Sequence, residues 1–134
     1  MIPGIEQFYQ RIADSIQESI TEDWSTALIE AVFYSSTISF HGEYVRAIDG
    51  VPRSLRPTLD GMGAFKDLRK LFKEDGKPLW GSATFEIESS GRFKMNWGYD
   101  DCDKEGNTLW DAEKWSRIED ERQFRLTRLA LKDR

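Results

Sequence analysis

Residues 99 to 107 read YDDCDKEGN: four acidic side chains and a single lysine in nine positions, with the chain's lone cysteine, Cys102, in their midst. Four kinds of chemistry fit such a run: a metal loop, a catalytic carboxylate cluster, a solvated turn, or a surface that faces something positive. A calcium loop starting at Asp101 would place Asp101, Asp103, Glu105 and Gly106 at loop positions one, three, five and six. The EF-hand also needs a bidentate glutamate at position twelve and a helix in front. Position twelve here is Ala112, Glu113 comes one residue late, and the preceding residues read as a strand. That leaves weak divalent binding as the most that calcium chemistry offers.

Other reactive chemistries fare worse. His41 and Cys102 are the only histidine and cysteine, so a closed zinc site would need at least two carboxylates. His41 reads as a strand histidine in an ordinary hydrogen bond. Asp101 and Asp103 beside Cys102 raise its thiol pKa by like-charge repulsion, the wrong direction for a nucleophile. A carboxylate acid/base pair needs one raised pKa in a dry cleft, whereas acids on a glycine-containing turn are solvated and ionised. The chain has no Walker loop, dinucleotide fingerprint or G-x-S-x-G element. No catalytic residue, metal site or cofactor is expected.

The elements around the run must position it. At 134 residues the chain fits one domain, 1–134, and a single cysteine excludes an internal disulfide. There is no basic leader or long apolar span, so a cytoplasmic protein is expected. Aromatic residues make up 13% of the chain, enough for a packed core, and the net charge of −5 argues against broad binding to nucleic acid or membrane. That charge is local: residues 96–113 hold six acids against Lys104, and the rest of the chain is balanced.

Ile5, Phe8, Ile12, Ile16 and Ile20 form one helical stripe, which predicts a helix over 3–20 opened by Pro3. Two antiparallel strands follow, about 26–34 and 37–47, broken at Ser35-Ser36, and then a loop, DGVPRSLRPT. Met62, Phe65, Leu68 and Phe72 mark a second helix whose exposed side carries Lys66, Arg69, Lys70 and Lys73. In TFEIESSGRFKMNWGYD, the loop Ser89-Ser90-Gly91 sets Ile87 opposite Phe93 and Phe85 opposite Met95. The outer face then pairs Glu86 with Lys94 and Glu88 with Arg92. Thr108 and Asp111 fit the capping pattern of a third helix, with Trp115 and Ile118 beginning its buried stripe. The fold class is α+β in the order α-ββ-α-ββ-α, an antiparallel sheet with helices mainly on one face.

Asp111 and Glu113 have structural duties at a helix start. Asp100, Asp101, Asp103 and Glu105 do not, which leaves two readings, a solvated turn or a docking surface for a cationic partner. Trp110 at the strand-to-helix junction, beside focused negative charge, favours the second, since aromatic anchors with a charged rim are the makeup of binding surfaces.

Trp80, the stretch TFEIESSGRFKMNWGYD at 84–100 and the tryptophan around 115 resemble the YezG-like family of bacterial immunity proteins. The first half agrees in layout, with FYQRIADSI in a leading helix and Trp24 opening a hairpin. The resemblance implies an α+β fold, no catalysis, and binding to a cognate domain of a secreted polymorphic toxin, often a nuclease, in the cytoplasm of the producing cell. The basic middle helix and the LTRLALKDR ending depart from the family pattern. Both lines together give an immunity protein that presents Asp100, Asp101, Asp103 and Glu105, with Trp110, to a cationic cleft. The alternative is a non-catalytic adaptor or weak calcium-responsive module.

Overall fold

The computed structural model describes residues 2–99 and 102–108. The third helix expected from Thr108 and Asp111 lies outside the described residues. Among those described, the order is α1 (Glu6–Ser19), β1 (Trp24–Phe33), β2 (Ile38–Arg46), β3 (Pro52–Ser54), α2 (Leu59–Glu74), β4 (Ser82–Glu88) and β5 (Phe93–Gly98). The strands form one antiparallel sheet in the order β3-β2-β1-β4-β5, so the class is α+β. Neither described helix is long and apolar enough to cross a membrane.

Strand β1 begins at Trp24, two residues before the expected start. The start of α1 and the loop after β2 also differ from the sequence reading, each for a local reason. Helix α1 starts at Glu6 instead of Pro3, because Gly4 takes φ +80° and breaks the helical path. Within the expected loop DGVPRSLRPT, Pro52–Ser54 pairs with β2 as a short edge strand. An edge position is where a strand proline is tolerated, since the missing N–H costs no ladder bond there.

The hairpin β4–β5 has the expected register, with Phe85 opposite Met95, Glu86 opposite Lys94 and Ile87 opposite Phe93. Gly91 at φ +98° supplies the left-handed residue the three-residue loop requires. The paired charges reach 3.4 Å for Lys94–Glu86 and 4.0 Å for Arg92–Glu88. Arg92 and Glu88 are both open to solvent, whereas Lys94 reaches out over a largely covered Glu86; exposed pairs of the first kind fix register more than they stabilise.

Alternation along β1 turns Ala27, Ile29, Ala31 and Phe33 toward the two helices. They meet Ile12 and Ile16 of α1, Phe65, Leu68 and Phe72 of α2, and Ala83, Phe85 and Ile87 of β4. Trp80, 0% exposed, sits between Phe33, Phe72 and Trp97, with ring centroids 5.1 to 5.9 Å apart. Burying a large apolar side chain of this kind stabilises a fold by about 1.5–3 kcal/mol. On the other face Leu28, Val32 and Val45 are buried as well, together with Glu30, Glu43 and Thr84. There Thr84 donates to Glu30 at 3.1 Å, and His41 Nε2 lies 2.5 Å from the Glu43 carboxylate, a short strand hydrogen bond where the sequence suggested an ordinary one.

Candidate docking surface

The acidic turn is held against the end of the sheet by its backbone. Cys102 and Thr108 pair across it in a single antiparallel bridge. Thr108 donates its N–H to the Phe33 carbonyl at 2.6 Å and its hydroxyl to the Gly81 carbonyl at 3.1 Å. Gly81 leaves the room for this: a Cβ there would stand 2.5 Å from both Cys102 Sγ and Thr108 Oγ1. Gly106 turns the chain at φ +82° and lies so close to Leu79 that a Cβ would meet the leucine's own Cβ at 2.6 Å. These approaches fasten the turn to the β1 and β4 ends.

Arg69 of α2 supplies the remaining anchor. Its Nε donates to the Trp80 carbonyl at 3.1 Å, and its Nη2 donates to the Gly106 carbonyl at 2.7 Å and to Asn107 Oδ1 at 3.2 Å. The guanidinium also lies 4.7 Å from the centre of the Phe33 ring. Desolvation lowers its pKa, opposed by the attraction of Cys102 and Asp103. An arginine fork suits this task, because one planar group reaches two chain segments at once. Arg69 thus binds the turn through carbonyl oxygens and an amide, and among the described residues takes no carboxylate into an ion pair.

Of the residues singled out for partner binding, Asp103 and Glu105 are described, and Asp100, Asp101 and Trp110 lie outside the described residues. Asp103 has an internal duty. Its Oδ1 accepts the backbone N–H of Asn107 at 2.9 Å and of Glu105 at 3.0 Å, and these amides hold its carboxyl below the usual carboxylate range. It ties the turn in the manner of an Asx turn. Glu105 is exposed and makes no such bond with its carboxylate among the described residues.

Tertiary structure adds what the linear charge pattern lacks. A groove of about 360 Å³ runs between the turn and α2, lined by Lys66, Arg69, Lys70 and Lys73 on one side, Glu105 and Asn107 on the other, with Phe33 and Leu79 as apolar lining. The lysines were legible as the exposed side of a helix. Their place beside the acidic turn was not, since it depends on where α2 crosses the sheet end. Among the described residues no group of three His, Cys, Asp or Glu side chains is arranged to hold a metal.

Residues 58–119 match the family model of YezG-like immunity proteins, a span that takes in α2, the β4–β5 hairpin and the acidic turn. The chain is also 21% identical, over 115 residues, to the immunity protein YezG of Bacillus spizizenii, an alignment covering 74% of this chain and 71% of that relative. The resemblance carried by Trp80 and the β4–β5 pattern is thereby shown.

Proposed function

We propose that the protein is an immunity protein, which binds and neutralises a cognate secreted toxin domain in the cytoplasm without catalysing a reaction. The match of residues 58–119 to the YezG-like immunity family carries this reading. The docking surface in this reading is the acidic corner of Asp100, Asp101, Asp103 and Glu105, with Trp110 as its apolar anchor. The toxin is a nuclease, whose cationic substrate cleft meets carboxylates where it otherwise meets phosphates.

The turn's construction supports that role. A rigid anchor holds Glu105 outward, so less conformational entropy is lost when a partner docks. Asp103 contributes charge while its geometry serves the turn, and its reversal would disturb both. The discriminating variants are therefore Asp100→Lys with Asp101→Lys, and Glu105→Lys. Co-expression with the toxin domain encoded beside this chain is expected to restore growth with the wild type. In stopped-flow binding to that domain, the double reversal slows association at least tenfold. Rescue with unchanged association moves the docking face elsewhere, and no rescue by the wild type overturns the immunity reading.

A further inference from the structure

We propose a second docking element: the lysine row of α2, with the groove beside it, seats an acidic segment of a protein partner. Lys66, Lys70 and Lys73 stand at i, i+4 and i+7, which places them on one stripe about 10 Å long at 1.5 Å per residue. All three are exposed, and none is in an ion pair with a described residue. The acids of the same helix do not quench them: Asp60 and Asp67 are drawn to Arg11 of α1, each at 2.9 Å, and Glu74, a turn beyond Lys70, forms no ion pair with it. Three neighbouring cations on one helix face repel one another and weaken that helix. An anionic partner relieves this.

The opposite wall decides the class of anion. Glu105 lines the same groove, so a ligand that follows it meets positive charge on one side and a carboxylate on the other. A nucleic acid strand, with a phosphate at every step, is repelled by that wall and by the chain's net charge of −5. A protein segment alternates more freely: glutamates or aspartates spaced i, i+4, i+7 meet the lysines, one basic residue meets Glu105, and an apolar side chain covers Leu79. This element shares Glu105 with the acidic corner, but its three lysines lie outside that corner, so their substitution tests it apart from the acidic-corner reading.

The test uses the full chain and a synthetic helical peptide carrying glutamates at i, i+4 and i+7, one lysine and one leucine. Amide chemical shifts are followed with peptide up to millimolar concentration. Shifts centred on residues 66–73 and on Leu79 and Asn107 are expected, with affinity falling at least tenfold in the Lys66→Gln, Lys70→Gln, Lys73→Gln variant. Glutamine is a good helix former, and unchanged circular dichroism of the variant separates lost binding from lost fold. No shifts, shifts elsewhere, or equal binding by the variant overturns the proposal. So does an oligothymidylate of the peptide's net charge that shifts the same amides at equal or lower concentration, which would mark a general polyanion surface.

Discussion

At the scale of single residues, the acidic run divides by what each carboxylate already holds. Asp103 accepts two backbone amides and so spends its charge inside the turn, whereas Glu105 on the same turn faces the groove. Composition could not separate them, because four acids in nine positions look alike until the chain path brings the amides of residues 105 and 107 to one of them. The division has a pH signature. Hydrogen bonds to the charged form depress the Asp103 pKa, so its contribution to the turn is complete above the unfolded value of about 3.9 and is lost as pH falls through the lower, folded value. The carboxyl carbon of Asp103, followed by NMR, is expected to titrate with a midpoint below the ordinary aspartate value. The amide signals of Glu105 and Asn107 should move with the same midpoint, and a midpoint at or above the ordinary aspartate value would remove its role as the tie.

At the scale of elements, the legible features were those fixed by side-chain period. Phe85, Ile87, Phe93 and Met95 admit one register around the Ser89-Ser90-Gly91 loop, since a one-residue slip would turn every one of them to the other face. The α1 stripe from Ile5 to Ile20 was legible for the same reason, although Gly4 moved its start. The strand at Pro52–Ser54 was not, because three exposed residues on a sheet edge carry no pattern. Nor was the crossing of α1 and α2, which hinges on two small residues. Ser15, 1% exposed, accepts both the N–H and the hydroxyl of Thr58, while the Thr58 oxygen accepts the N–H of Gly61 and caps α2. A Cβ on Gly61 would stand 2.2 Å from Ser15 Oγ. Helix propensity alone favours Gly61→Ala by about 1 kcal/mol. Overpacking costs about 1–3 kcal/mol and here also displaces the cap, so the substitution is expected to destabilise the fold, as read from the urea midpoint. A rise in midpoint would mean that the helices separate without cost.

At the scale of the whole molecule, the field and the contacts pull differently on a cationic partner. The net charge of −5 attracts such a partner from a distance, although the lysine row sits beside the very turn that concentrates the negative charge. Long-range attraction sets the association rate and is screened over about 8 Å at physiological ionic strength, whereas contacts formed at close range set mainly the dissociation rate. Neutralising the two surfaces therefore has unlike kinetic effects. Asp100→Asn with Asp101→Asn removes steering charge, so association with the cognate toxin domain slows and its dependence on salt flattens. Lys66→Gln, Lys70→Gln and Lys73→Gln make the chain more negative, so association at low salt holds or quickens. Dissociation accelerates severalfold because the acidic segment of the partner loses its seat. Surface plasmon resonance across a salt series separates the two, and slower association of the lysine variant at low salt would contradict this division of labour.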